Sequence, residues 1–386
     1  MITGDRSLAQ GKKGPFYYML EEFSQYWERV DIICPRIKSQ NLKVKNIFNN
    51  VFIHSSNFPL IFHPWFILKK GQEIFKQQKF DLFTVHSYPP FYNDIGGLWL
   101  YKKIKVPYIS EIMHITGYPK SGNFKEWLYK ITTKILIKYF TKNAEAIRVI
   151  NQNQTGEFLR KSGIAENKLK YIPAFYIDFD VFKPAIAEKK YDIVFSGRLV
   201  KNKGIILLLK AIKQLKNWKP NIELAITGSG PLENKIKSFI KNNRLQNNIN
   251  FIGWVKGTEE LAEIYNQSKI MVMPSFNEGG PRVTLEAMAC KTAVLTSRVG
   301  IMMDVIQAPS TGSGQAPSTN SGQVNGLFIN WNPQDIAEKI KRLLDNEELR
   351  IKIAENGYKS VQQFERKNAI KNYAEQYQAL LHTSRL

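Results

Sequence analysis

The chain has 386 residues, enough for two or three domains of about 150 residues each and for a large buried core. Its 43% apolar and 23% charged residues are ordinary globular values and exclude a disordered or collagen-like chain. Lys plus Arg number 55 against 33 Asp plus Glu, a formal net charge of +22. Such an excess suits nucleic acid, an anionic membrane surface or phosphate-bearing substrates, and it also fits the Lys, Ile and Asn bias of AT-rich coding. Nucleic acid ranks last, because no recognised nucleic-acid module accompanies the charge. Cys34 and Cys290 form neither a disulfide framework nor a metal-ligand spacing, and both read as reduced core residues. No basic region followed by an apolar run opens the chain, and the most apolar stretch, residues 58–68, is too short to span a bilayer. The expected location is cytoplasmic, with peripheral contact at the inner face of the plasma membrane.

Along the chain, short apolar runs alternate with helical patterns. Strands are expected at 30–34, 80–86, 107–114, 146–150 and 169–173, with helices at 15–27, 64–78, 93–105, 124–141 and 152–162. Only Met1, Ile2 and Thr3 precede Gly4, so the first strand of this unit reads as clipped. A second series places strands at 191–196, 222–227, 249–252, 270–274, 292–296 and 326–329, followed by helices near 333–344 and 346–363. Continuous Val/Ile/Phe runs between helices are the pattern of buried parallel strands. The fold class is therefore α/β, with two doubly wound units whose ligand sites lie outside the carboxyl ends of their strands, in the cleft between them. The expected division is residues 1–177, a linker at 178–190, a second domain at 191–363, and a final helix at 364–386 packing back on the first. Residues 308–323 repeat APSTGSGQ almost verbatim as APSTNSGQ, a tract expected to be a mobile, dispensable insertion.

Three segments carry chemistry. Residues 274–290, PSFNEGGPRVTLEAMAC, place Glu278 in a loop after a strand, then Gly279 and Gly280, then Pro281 as a first helical residue. A helix N-terminus there would offer amides and a positive dipole end to a diphosphate. Glu286 follows eight residues after Glu278, and carboxylates suit sugar diols, so two acids around a phosphate cradle point to a phosphate ester of a sugar. Residues 196–204, SGRLVKNKG, put Arg198 and Lys203 at a strand end, where two fixed cations can neutralise a departing diphosphate without a metal. Residues 227–231, TGSGP, include Gly228 but are no dinucleotide fingerprint, because Glu233 occupies the third glycine position. Taken singly, each acid also fits a solvated surface residue.

The order GRLVKNKG, TGSGPLE, NINFIGWV and MPSFNEGGPRVTLEAMACKTAVLTS resembles the donor domain of family 4, group 1 glycosyltransferases, with their E-x7-E motif. The resemblance is close over residues 191–363 and looser before them. It implies the GT-B fold, two facing Rossmann-like domains, and metal-independent transfer from a nucleotide-sugar with retention of configuration. On that resemblance Arg198 and Lys203 hold the donor diphosphate, and Glu278 lies by the sugar hydroxyls. Glu286 binds the ribose, Gly279 and Gly280 give backbone donors, and Val255 sits beside the base. Residues 11–15, with Gly14, resemble the family's glycine-rich loop, although Lys12 and Lys13 separate Gly11 from Gly14. His114, in EIMHITG, resembles the histidine that reaches the transferred sugar, whereas His86 reads as structural.

The implied activity is a retaining transfer to a glycan or lipid-linked acceptor, with the nucleotide-sugar as co-substrate and no cofactor. A nucleotide-sugar epimerase and a non-catalytic sugar-nucleotide-binding protein are the alternatives. On the helix at 124–141, Lys130, Lys134, Lys138 and Lys142 recur every fourth residue as a basic stripe suited to an anionic membrane. Leu128, Ile131, Ile135 and Tyr139 form an apolar stripe whose commoner fate is packing on the sheet.

Overall fold

A computed structural model describes residues 1–37, 46–306 and 324–383. The chain divides into two compact units. The first comprises residues 1–116, 125–174 and 367–386, and the second residues 117–124 and 175–366. The repeat at 308–323 lies outside the described residues.

Strands of the first unit are β1 (Val30–Cys34), β2 (Asn46–Ile47), β3 (Val51–Ser55), β4 (Phe83–His86), β5 (Tyr108–Ile112), β6 (Ala146–Val149) and β7 (Leu169–Tyr171). Its helices are α1 (Pro15–Phe23), α2 (His63–Gln77), α3 (Tyr92–Ile104), α4 (Phe124–Thr141) and α5 (Glu157–Lys161). One ladder runs β2-β3-β1 and another β4-β5-β6-β7, all parallel except β2 on β3. Ile2 joins them, bridging Ile33 on one side and Val85 on the other. The short opening strand therefore lies mid-sheet: Ile2 N donates to Thr84 O at 2.8 Å, and His86 N to Ile2 O at 2.9 Å.

The second unit holds β8 (Tyr191–Ser196), β9 (Leu224–Thr227), β10 (Ile249–Gly253), β11 (Ser268–Met273), β12 (Ala293–Ser297) and β13 (Leu327–Ile329). Its helices are α6 (Ile205–Leu215), α7 (Glu233–Asn242), α8 (Thr258–Asn266), α9 (Arg282–Ala289), α10 (Met302–Val305), α11 (Pro333–Asp345) and α12 (Glu347–Val361). These six strands form one parallel sheet, ordered β10-β9-β8-β11-β12-β13. The core strands are buried on both faces, as the unbroken runs Ile193–Val194–Phe195 and Ile270–Met271–Val272–Met273 require. Residues 178–190, expected as a linker, belong to this unit. Phe182 is buried in its core, Ala185 N donates to Asn266 Oδ1 at 2.9 Å, and Lys189 Nζ caps Asn266 O at 2.7 Å.

The last helix, α13 (Arg366–Thr383), lies mostly in the first unit. There Glu111 on β5 is fully buried. Its carboxylate accepts from Arg148 Nη1 at 3.0 Å, from Tyr373 OH at 2.8 Å and from Tyr377 OH, and it pairs with His86. Arg148 also donates to Ile172 O and Pro173 O and lies 3.7 Å above the Tyr373 ring. Burial alone would raise the Glu111 carboxyl, but His86, Arg148 and Tyr377 hold it well below the usual carboxylate range. His86 thus has a structural role, tying β4 to this charge. A carboxylate held low stabilises the fold above its unfolded value near 4, and that contribution drains as pH falls below it. Glu111→Ala should leave Arg148 buried without its anion and cost about 3–5 kcal/mol in urea unfolding at pH 7. A loss under about 1 kcal/mol would show that the cluster does not anchor α13.

Candidate functional site

In the second unit the chain order reverses beside β8. Strands β9 and β10 lie to one side, and β11, β12 and β13 to the other. Open α/β sheets bind ligands outside the carboxyl ends at such a switch point. The two segments leaving the sheet there, after β8 and after β11, are those that carry Arg198 and Lys203, and Glu278.

Glycines let these segments touch backbone to backbone. Gly204 has φ +68°, and a Cβ on it would lie 2.0 Å from Pro274 O. Gly228 has φ +118°, and its Cβ would meet Gly197 O at 1.9 Å. Phe276 N donates to Asn202 O at 2.7 Å, pinning the β11 loop to the turn at Lys201–Lys203. Lys203 is thereby brought to Glu278, and the two mostly buried side chains form an ion pair. Arg198 is exposed at the same edge, and its guanidinium has no ion-pair partner among the described residues. The site thus combines a paired cation, a free cation and one carboxylate at the mouth of the sheet.

Helix α9 begins one residue later than expected. Pro281 is its N-cap, with Thr284 N and Thr284 Oγ1 both donating to Pro281 O, at 2.9 and 2.5 Å. Glu286 is buried on this helix and pairs at 3.0 Å with Arg282 Nε one turn earlier. Burial raises the Glu286 carboxyl, and Arg282 only partly offsets it. Arg282 in turn lies 4.3 Å from the Tyr176 ring. The sequence reading missed Arg282, although its i, i+4 spacing from Glu286 was visible.

Two of the expected site glycines, Gly228 and Gly280, also have packing reasons. A Cβ on Gly280 would lie 2.2 Å from the Phe175 ring and 2.8 Å from Ile301. Gly279 O accepts from Ile301 N at 3.0 Å, so this backbone is committed to the loop after β12. Val255 is partly buried against the core, while its neighbour Trp254 is 72% exposed. A large aromatic left in water beside the expected base position is a feature the sequence reading passed over.

The remaining candidates lie in the first unit. Strand β5 ends at Ile112, two residues before His114, which sits past its carboxyl end with Nε2 3.5 Å from Thr116 Oγ1. Gly14 is the N-cap of α1 in extended backbone, and a Cβ there would meet nothing within 4 Å. Gly11, at φ +71°, is the residue of that loop whose conformation favours glycine. Among the described residues no group of three or more His, Cys, Asp or Glu side chains is placed to hold a metal ion.

Residues 177–360 match the family model described as glycosyl transferases group 1. An uncharacterized glycosyltransferase of Methanocaldococcus jannaschii is 26% identical over 345 residues, 87% of each chain. The N,N'-diacetylbacillosaminyl-diphospho-undecaprenol alpha-1,3-N-acetylgalactosaminyltransferase of Campylobacter jejuni is 24% identical over 298 residues, 74% of each chain. Among solved structures, Anabaena HepE in complex with UDP is similar with a TM-score of 0.75, at 15% identity, over 98% of both chains. The fold is GT-B. The similarities support glycosyltransferase activity, in the EC 2.4 class of transferases.

The ion pair makes a prediction separable from catalysis. Lys203→Ala should leave the Glu278 carboxylate without its counter-ion and lower stability by about 1–3 kcal/mol. Arg198→Ala, at an exposed position, should stay within about 0.5 kcal/mol of the parent. Equal losses in urea titrations of the two variants would contradict the burial and pairing described.

Proposed function

We propose that the protein moves a sugar from a nucleotide-diphosphate sugar to a glycan or lipid-linked acceptor, with retention of anomeric configuration and without a metal. It would work in cell-surface polysaccharide or glycolipid synthesis, peripherally at the cytoplasmic face of an anionic membrane. The observation that carries this reading is the meeting of Lys203 and Glu278, with Arg198 beside them, at the switch point of the second unit.

The roles follow from charge. Arg198 and Lys203 stabilise the diphosphate as the anomeric C–O bond breaks, and an ammonium with three donors can serve Glu278 and a phosphate oxygen together. The acceptor oxygen bonds to the anomeric carbon from the same face, and its proton passes to the departing phosphate oxygen. No dedicated protein base is then required. Glu278 and His114 orient the sugar, Glu286 takes the ribose diol, Gly14, Gly228, Gly279 and Gly280 line the phosphates and sugar, and Val255 lies along the base. The Campylobacter relative, named for an undecaprenol-linked substrate, supports a lipid-linked acceptor.

Nucleotide release from a panel of UDP-, GDP- and ADP-sugars, with and without lipid-linked acceptor, tests the reading. Turnover should survive excess EDTA, and Arg198→Ala should cut it by about 10²–10³-fold with folding intact. Loss of turnover in EDTA that Mn²⁺ restores, or a near-parental rate in Arg198→Ala, would overturn the assignment.

Glu286 gives a second check. A carboxyl raised by burial costs stability as pH rises above its unfolded value near 4, because the unfolded chain then gives up that proton more readily than the folded one. Glu286→Gln should raise the melting temperature of the ligand-free protein at pH 7 while weakening nucleotide-sugar binding by about 1.5–3 kcal/mol. Unchanged affinity would return Glu286 to a purely structural role.

A further inference from the structure

Helix α4 is turned inside out. Its buried residues are Thr133, Ile137, Phe140 and Thr141. The two threonine hydroxyls are satisfied within the helix, Thr133 Oγ1 donating to Tyr129 O at 2.7 Å and Thr141 Oγ1 to Ile137 O at 2.8 Å. Two hydroxyls can therefore be buried without other partners. About 180° around the helix from Ile137 lie Leu128, Ile135 and Tyr139, and this face is open: Ile135 is 68% and Tyr139 59% exposed. Three of the four residues of the apolar stripe expected to pack on the sheet instead point into solvent, and the fourth, Ile131, is half-buried. Lys134, Lys138 and Lys142 run along its flank, all exposed, whereas Lys130 is half-buried and leaves the expected stripe.

The exposed apolar surface extends over the neighbouring helices. Crossovers between parallel strands are right-handed, and α2, α3 and α4 each cross towards β7, so all three cover one face of the first unit's sheet. Helices α2 and α3 are in close contact, since a Cβ on Gly96 of α3 would lie 2.8 Å from Ile67 of α2, and α4 meets the start of α3 where the Phe140 ring stacks on Phe91 at 5.1 Å. Each helix leaves one tryptophan exposed, Trp65, Trp99 and Trp127. Just before α2, Ile61 is 65% and Phe62 55% exposed. The same three helices carry nine lysines and three acidic residues, one of which, Asp94, is buried.

We propose that the outer surface of α2, α3 and α4 docks on an anionic lipid bilayer, its tryptophans and aliphatic side chains entering the interface while the lysines meet the headgroups. Apolar contact alone would also suit a second copy of the chain, but two such surfaces would oppose lysine to lysine. A negatively charged leaflet satisfies both components. Among the described residues no helix is long and apolar enough to cross a membrane, so attachment through this surface is interfacial. The inference deepens the reading of a lipid-linked acceptor, yet vesicle binding is measured without turnover, so either can fail alone.

The test is co-sedimentation of the full chain with phosphatidylcholine vesicles, with and without phosphatidylglycerol, alongside tryptophan emission. Binding is expected only with phosphatidylglycerol, with a blue shift and release by high salt. Lys134→Glu, Lys138→Glu and Lys142→Glu combined should weaken partition by about a hundredfold or more. Leu128→Ser with Ile135→Ser should abolish the blue shift, and neither set touches the donor site, so circular dichroism and nucleotide affinity should be unchanged. Equal binding to neutral vesicles, parental binding by the charge-reversed variant, or a concentration-dependent dimer that hides this face would overturn the proposal.

Discussion

Backbone contact between loops is the constraint on which the site in the second unit depends. Lys203 and Glu278 leave different strands, and they meet only because the turn after β8 lies directly against Pro274 and Phe276 after β11. Gly204 and Gly228 make this possible by having no Cβ where the carbonyl of a neighbouring loop, Pro274 O or Gly197 O, would lie 2.0 or 1.9 Å away. The parallel sheet supplies the other half of the arrangement. It aligns the carboxyl ends of β8, β9 and β11 at one edge, so their loops have no alternative but to share space. An alanine at either glycine would separate the loops before it disturbed any ligand.

Charge is handled differently in the two units. In the first, Glu111 is sealed from water, and every group around it, His86, Arg148, Tyr373 and Tyr377, is spent on holding its charge. Nothing there remains available to a substrate, and the outcome is structural: α13 is bound to β5 and β6. In the second unit Asp192 plays a similar part, paired with Lys219 and Lys269 at the opposite end of β8 from Arg198. At the carboxyl edge the balance changes. Lys203 is paired with Glu278 while Arg198 has no ion-pair partner among the described residues, leaving a positive charge that an anion can fill. What sets the carboxyl edge apart from the Asp192 cluster, where both lysines bond the carboxylate, is an exposed cation with no ion-pair partner among the described residues.

Much of this was legible in the sequence, and the reasons are specific. Strands at 30–34 and 191–196 and the helix at 124–141 were placed to the residue, because continuous Val/Ile/Phe runs and a 3.6-residue period are strong local signals. Strand β3, Val51–Ser55, was missed: it is short, half-buried and bracketed by Asn49, Asn50 and Ser56, which read as turn. Lys203 and Glu278 were each singled out, but their pairing is a property of strand order, which no local pattern carries. Gly228 and Gly280 were singled out for a ligand, but their packing contacts were not legible, because a glycine needed for loop packing looks in sequence like one that admits a ligand. The partners of Glu111 were hidden more deeply, since Tyr373 and Tyr377 belong to a helix that returns from the far end of the chain.

Helix α4 shows why periodicity alone cannot orient a helix. The stripe read from its sequence is Leu128, Ile131, Ile135 and Tyr139, whereas the face the fold buries is Thr133, Ile137, Phe140 and Thr141, with Ile131 half-buried. Hydrophobicity favours burying the first, and the fold buries the second. Small, self-satisfied threonines with Ile137 and Phe140 fit close to the strands, where Tyr108 OH also donates to Phe140 O at 2.9 Å. Exposing the stronger face forgoes about 1.5–3 kcal/mol for each large apolar side chain that could have been buried. A fold retains such a loss only where another constraint sets the helix's rotation, and here that constraint is the sheet-side fit. The same rotation leaves apolar and basic side chains together on the outside of a strongly cationic chain, a combination that water alone does not favour and an anionic interface does.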